Sequence, residues 1–313
     1  MIINKRFIKP SGTYIIALSG GPDSVALLHA LSEIQKEYKL TLYTAHLDHE
    51  WRSNSQEDAT FCKELSELYN ISCIIQKASE LSVKPFLNGS KEAEGRALRR
   101  AFFKKIAEEK HADGVFLGHH ALDQIETFFI RIIRGATISG LCGMKEQEGI
   151  YIRPLLHVSK EHIDAYVKEH QLSYVIDPTN SSNAFLRNRL RNNALPALTQ
   201  VDSRFLSHTI KTMTHLEQVE QYLEKETLKE YEKIVTNGSL SYDLFSKADS
   251  FLQPRIISLW LQKNAPSFTL TERFIFEVIK FIKSPQGGRH QLSPEWCIAK
   301  KQGQAKIIIQ DRQ

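Results

Sequence analysis

Cysteine is scarce in this 313-residue chain, and the four present, Cys62, Cys73, Cys142 and Cys297, include no pair at C-x-x-C spacing. That argues against a zinc ribbon, an iron–sulfur site or a disulfide scaffold, and fits a reducing compartment. Long apolar runs are missing too. The most apolar later stretch, Phe128 to Ile133, is broken by Arg131 and closed by Arg134, so no membrane crossing is expected. The opening MIINKRFIKPSGT is basic but lacks the apolar core of a signal peptide, and a cytoplasmic location is expected. Neither sign of charge dominates. Lys and Arg number 41 against 36 Asp and Glu, a net +5, which permits a polyanionic partner without demanding one. The loop GxxxxGK[ST] is absent, and no lysine neighbours the glycine pair Gly20–Gly21 in the sequence. A phosphate site without that lysine points to cleavage of a different bond in the nucleotide.

What is present alternates. Apolar runs predict strands at 14–18, 41–47, 71–76 and 114–118. Helical spacing predicts helices from Pro22 to about Tyr38, from about Ser55, around 90–110 and at 121–134, with Ser55 and Asp58 able to form a capping box. This order predicts an α/β fold, a Rossmann-like parallel sheet with helices on both faces. From about Arg204 the pattern turns helical: one long polar-faced helix or a broken pair at 204–235, further helices at 246–262 and 270–283, then short strands around Gly287–Gly288 and Gln302–Gly303. Two domains are expected, a catalytic one at 1–200 and a mainly helical one at 201–313.

Ligands of such sheets bind beyond the carboxyl ends of the strands, and three unusual stretches fall there. In SGGPDS (residues 19–24) the glycines permit close backbone approach and Pro22 suits a first helical turn. Main-chain N–H groups at the positive end of a helix would then face one space, a ready anion site. A tight turn without ligand is the plainer reading, and Ser19, Asp23 and Ser24 weigh against it. In HLDHEWR (46–52) alternation sends His46 and Asp48 to one face, close to the glycine loop, with His49 following; a surface turn is the alternative. In GHHALDQIETFFIRIIRG (118–135), His119 and His120 end a strand, Asp123, Glu126, Thr127, Arg131 and Arg134 share one helical stripe, and Ile125, Phe128, Phe129, Ile132 and Ile133 fill the other. Two arginine clusters complete the set: Arg96, Arg99 and Arg100 on one helical face, and Arg187, Arg189 and Arg191 after DPTNSSN. Guanidinium forks suit an RNA backbone or a nucleotide tail, although a solvated basic face explains many such runs.

In order, SGGPDS, HLDHEWR, EGRALRR, GHHALDQIET, IRGATISGLCGM, IRPLL and DPTN before RNRLR resemble the tRNA(Ile)-lysidine synthases, ATP pyrophosphatases of the PP-loop superfamily. The resemblance runs from about residue 14 to 198. It implies ATP-dependent adenylation of the wobble cytidine in a CAU anticodon, release of pyrophosphate, and displacement of AMP by free L-lysine. Carried over by position, Ser19, Gly20, Gly21, Pro22, Asp23 and Ser24 would hold ATP, with Asp23 also a ligand of Mg²⁺. Asp48 and His49 would stand on the nucleotide and cytidine side. His119, His120, Asp123 and Glu126 would serve lysine and cytidine, and Arg96, Arg99, Arg100, Arg187, Arg189 and Arg191 would meet the tRNA. Asp23, Asp48, His49, Asp123 and Glu126 form the implied catalytic set. Leu122 departs from the family's usual acid, and many bacterial members carry a further C-terminal domain. The sequence is compatible with a homodimer. Other readings are a tRNA 2-thiolation enzyme sharing the loop, an ATP-dependent ligase of a small acid, and a non-catalytic tRNA binder. The missing paired cysteines, the arginine clusters and the retained acids respectively weigh against them.

Overall fold

Every residue of the first strand, β1 (Thr13–Ala17), is buried or half-buried, yet its side chains part by the two-residue period of a strand. Tyr14 and Ile16 enter one apolar cluster and Ile15 another, because successive side chains of a strand point to opposite faces. The computed structural model that gives this arrangement describes residues 2–51, 54–81, 91–176, 185–264 and 270–309. Among them the chain forms two compact units, Met1–Thr214 and His215–Gln313.

In the first unit β1 is followed by α1 (Pro22–Tyr38), β2 (Thr41–Asp48), α2 (Ser55–Leu68), β3 (Ser72–Lys77), α3 (Lys91–Glu109), β4 (Gly114–Phe116) and α4 (Ala121–Ile133). Then come α5 (Ile138–Leu141), β5 (Gln147–Glu148), β6 (Tyr151–Ile152), α6 (Lys160–Glu169), α7 (Leu186–Arg189), a π-helical turn Leu190–Ala194 and α8 (Leu195–Val201). The strand order is β3-β2-β1-β4-β6-β5. All pairings are parallel except β5 with β6. On one face α1, α2 and α6 bury Leu28, Leu31, Cys62, Leu65, Ile163 and Val167. On the other, α3 buries Leu98, Phe102 and Ile106 against Ile15, Ala45 and Val115. The carboxyl ends of β1, β2 and β4 therefore lie side by side on one rim.

Two local expectations fail. Helix α2 begins at Ser55, with Asn54 at the cap and no side-chain cap hydrogen bond. A serine already inside the helix is past the position from which its hydroxyl could accept a first-turn N–H. On α4, Ile132 and Ile133 are 45% and 59% exposed. Helix α4 packs on α5, α7 and the π-helical turn, and its last turn leaves both isoleucine side chains exposed.

In the second unit, α9 (Phe205–Ile234) is one unbroken helix, within which the division of the two units falls. It is followed by β7 (Val235–Thr236), β8 (Ser239–Ser241), α10 (Tyr242–Lys247), α11 (Gln253–Asn264), α12 (Glu272–Lys283), β9 (Gly288–Gln291), β10 (Trp296–Lys301) and β11 (Gln304–Ile309). The strands form an antiparallel sheet in the order β7-β8-β11-β10-β9. The contribution of β7 and β8 was not visible in the sequence pattern. Trp260, Phe245, Val278, Ile282 and Ile298 are fully buried in the core of this unit.

Candidate active site

Gly20 adopts φ +83°, a left-handed conformation that side chains disfavour, and turns the chain from β1 into α1. Gly21 caps α1 in an extended conformation, Pro22 follows at its first position, and no side chain caps the helix. The positive end of α1 is thus left to an external anion. The hydroxyls are organised around it: Ser24 Oγ donates to Gly21 O at 2.9 Å, accepts from Ser19 N at 3.2 Å and lies 3.1 Å from Ser19 Oγ. Gly118, two residues past β4, makes room for this loop. A Cβ there would come within 3.2 Å of the Asp23 carbonyl carbon and oxygen.

Asp23 joins this loop to the rest of the site. Its Oδ1 accepts from Lys160 Nζ at 2.6 Å, and its Oδ2 lies 3.5 Å from His120 Nε2. Burial alone would raise the carboxyl, but the hydrogen bonds and positive charge of His120 and Lys160 outweigh it and hold its pKa at about 2. Lys160 corrects the sequence reading. No lysine neighbours the glycines along the chain, yet α6 packs beside α1 and delivers one from 137 residues away.

His120 is the N-cap of α4. Its Nδ1 accepts from Leu122 N at 3.2 Å, while Asp123 Oδ2 accepts from His120 N at 3.0 Å. The capping box expected on α2 occurs here instead. With Nδ1 accepting, the neutral imidazole carries its proton on Nε2, facing Asp23 and, at 3.6 Å, Asp123 Oδ2. Burial opposes charging this ring, and the two carboxylates overcome that and raise its pKa.

Asp123 and Glu126 lie one turn apart, both buried. Arg191 spans them, with Nε 2.5 Å from Glu126 Oε1 and Nη2 3.2 Å from Asp123 Oδ1. Arg187 Nε stands 3.3 Å from Glu126 Oε2. Burial raises the pKa of Glu126 against the opposing pull of Arg191. Two arginines expected at RNA phosphates therefore face the acid pair, whereas Arg189 of the same cluster is exposed. His119 has a buried Nδ1 without a hydrogen-bond partner. Burial lowers its pKa to about 4, with Arg153, Arg187 and Arg99 adding to the effect and Asp123 opposing it, so it is neutral near pH 7.

At the end of β2, buried Asp48 accepts from Glu50 N at 2.8 Å. His49 is also held neutral, near pKa 4, by burial and by Arg99. His46 lies close to the glycine loop and buried: its Nδ1 is 2.9 Å from Leu18 O and 3.3 Å from Cys62 Sγ. Arg96, Arg99 and Arg100 are exposed along α3, and the Arg100 guanidinium lies 5.3 Å over the Tyr151 ring. Arg131 Nη1 donates to the carbonyl oxygens of Gly140 and Gly143. Gln124 pairs with both main-chain groups of Met144, at 2.8 and 2.7 Å. These two residues fix the segment after α4 rather than offering themselves to a ligand. DPTN and the following SSN lie outside the described residues. Sequence reasoning missed Lys160 and Arg153; the latter is 4% exposed and donates to Lys145 O at 2.7 Å and Glu148 Oε2 at 3.2 Å. An arginine inside the apolar stretch YIRPLL was the available signal for it.

The PP-loop domain family matches residues 2–198. A tRNA(Ile)-lysidine synthase of Persephonella marina is 29% identical over 96% of this chain and 68% of its own length. Another, of Bacillus cereus, is 33% identical over 89% of this chain and 61% of its own length. Among solved structures, the U34-tRNA thiolase NcsA of Methanococcus maripaludis, described with its [4Fe-4S] cluster, has a TM-score of 0.59 at 16% identity, over 69% of this chain and 75% of the thiolase. That likeness concerns the fold alone. Here the four cysteines are free, with Cys62 and Cys297 buried. Among the described residues no helix is long and apolar enough to cross a membrane.

Proposed function

This chain belongs to the PP-loop family, and we propose that it is a tRNA(Ile)-lysidine synthase, joining L-lysine to C2 of the wobble cytidine of a CAU anticodon at the expense of ATP. One observation carries the reading beyond family likeness. His120 Nε2 stands 3.5 Å from Asp23 in the phosphate loop and 3.6 Å from Asp123 of the acid pair. An activated base and an incoming amine would meet across the width of one histidine.

The residues divide the work accordingly. Ser19, Gly20, Gly21 and Ser24, with the open end of α1, cradle the two phosphates that depart as pyrophosphate. Lys160 adds a cation to that cradle when phosphate replaces its contact with Asp23. Magnesium bound to a nucleotide needs only one or two protein carboxylates. Asp23, buried and kept ionised by two cations, fits as such a ligand; the ion would neutralise charge on the departing phosphates. Asp48 and His49 border the nucleotide and cytidine.

In the second step the lysine amine bonds to C2, the C2–O2 bond breaks, AMP leaves with its oxygen, and the surplus amine proton passes to the Asp123–Glu126 pair. Neutral His119, with a buried nitrogen awaiting a partner, orients the base without adding charge. Exposed Arg96, Arg99, Arg100 and Arg189 meet the RNA backbone, while Arg187 and Arg191 set the acid pair. Residues 1–200 form the catalytic domain in this reading, and residues 201–313 contact the tRNA body.

The test is incubation with isoleucine tRNA bearing CAU, ATP and labelled lysine, with methionine tRNA, which has the same anticodon, as control. We expect label in the isoleucine tRNA alone and stoichiometric AMP and pyrophosphate. ADP release, or equal labelling of both tRNAs, would overturn the reading.

A further inference from the structure

One exposed aromatic on the rim has no part in this chemistry. Trp51 is 42% exposed, and its indole lies parallel to the His49 imidazole, with centroids 4.5 Å apart and planes at 23°. Three features hold it there. Glu50, between the two rings, adopts φ +55°, a left-handed conformation that a glutamate takes only against a steric cost. Asp48 accepts the Glu50 N–H, and the Glu50 carboxylate accepts from Ser79 N at 3.0 Å, so the reversal is pinned on both sides. Gly95, in the second turn of α3, meets the edge of the indole. A Cβ there would stand 2.5 Å from Trp51 Cη2. Glycine is disfavoured inside a helix, and here it clears the space that the ring occupies.

The surroundings are cationic. Lys91 Nζ lies 5.0 Å over the indole, and Arg96 and Arg99 are exposed on the same helix. Arg99 is close enough to both His49 and His119 to lower their proton affinity, which ties this corner to His119. A flat aromatic surface backed by a second ring and ringed by cations binds unpaired bases of single-stranded RNA, the ring stacking on the base and the cations holding flanking phosphates. An ammonium over a ring is a contact that an arriving base can replace, moving the cation onto a neighbouring phosphate.

We propose that Trp51 is a stacking platform for an unpaired RNA base next to the one being modified. The assignment rests on the proposed function and adds to it a positioning residue for the anticodon loop.

Fluorescence provides the test. The chain has three tryptophans, of which Trp260 is fully buried, so the difference between the wild type and Trp51→Phe isolates the signal of Trp51. Titration with a synthetic CAU anticodon stem–loop is expected to quench the wild type, with the Trp51 component absent from Trp51→Phe. Trp51→Ala and Trp51→Leu are expected to weaken stem–loop binding about tenfold, in the range for one stacked base. Because a ring carries no charge, the slope of log K against log salt should remain that of the wild type. Trp51→Phe should stay within about threefold of wild type. Gly95→Ala, which displaces the indole without harming the helix, should behave like Trp51→Ala. Wild-type affinity in Trp51→Ala or Trp51→Leu would overturn the platform while leaving the proposed enzyme intact. Quenching of Trp51 by ATP alone would assign the ring to adenine and overturn the RNA assignment. If the wild-type protein binds no stem–loop at all, the functional reading beneath it fails instead.

Discussion

At the scale of single residues, Asp23 and Lys160 join the glycine loop to α6 in an ion pair that, under the proposed function, an incoming nucleotide would rearrange. Asp23 titrates near 2 in the folded protein, against an ordinary 3.8. Its contribution to stability, roughly 2 kcal/mol, is therefore complete above about pH 4 and lost as the pH falls toward 2. Lys160→Ala removes one of the two cations that lower this carboxyl, so acid unfolding monitored by circular dichroism should begin at higher pH. The same variant is expected to raise the KM for ATP about tenfold while leaving stem–loop affinity unchanged. His49 and His119 act in another window. Each is neutral down to about pH 4 when folded, whereas the unfolded chain takes up protons near 6.5. The unfolded state binds more protons between these values, so stability falls as pH drops through them, by up to about 1.4 kcal/mol per pH unit for each ring. His119→Asn should flatten that slope, measured as urea midpoints at several pH values.

At the scale of elements, most of the first unit could be read from period alone. Four strands and four helices fall within a few residues of their expected positions, because each pairs a buried stripe with an ordinary start or stop signal. The rest depends on what lies nearby in space. The C-terminal turn of α4 carries the same apolar pattern as its core-facing part, and only the neighbours each turn meets in space decide that Ile132 and Ile133 remain outside. Likewise Arg187, Arg189 and Arg191 look equivalent in sequence, and helical geometry turns two toward Glu126 and leaves one exposed. Lys160 was invisible because the adjacency of α6 and α1 is a property of the crossover, not of either segment. Gly95 was legible in principle as a glycine misplaced in a helix. At this scale Gly118→Ala is an informative substitution. Its new methyl presses on the backbone of Asp23 and Ser24, so the loop must shift, and pyrophosphate release is expected to fall at least tenfold with the melting temperature little changed. Phe102→Ala, by contrast, empties a fully buried position between α3 and the sheet and should cost about 3–5 kcal/mol in denaturant unfolding.

For the whole molecule, a net charge of +5 is too small to predict RNA binding by itself, so the distribution of charge matters more than its sum. Alanine at Arg96, Arg99, Arg100 and Arg189 together should lower the salt slope of tRNA binding, by roughly 0.7 to 0.9 for each phosphate that is no longer neutralised; an unchanged slope would remove those residues from the interface. The acid pair behaves differently. Asp123 and Glu126 are already matched by the guanidinium groups of Arg187 and Arg191, so under the proposed function an amino acid would enter by swapping one cation for another, with the pocket's charge balance preserved. Sodium chloride should then sort the two substrates, loosening the polynucleotide steeply while the amino acid's apparent affinity hardly moves.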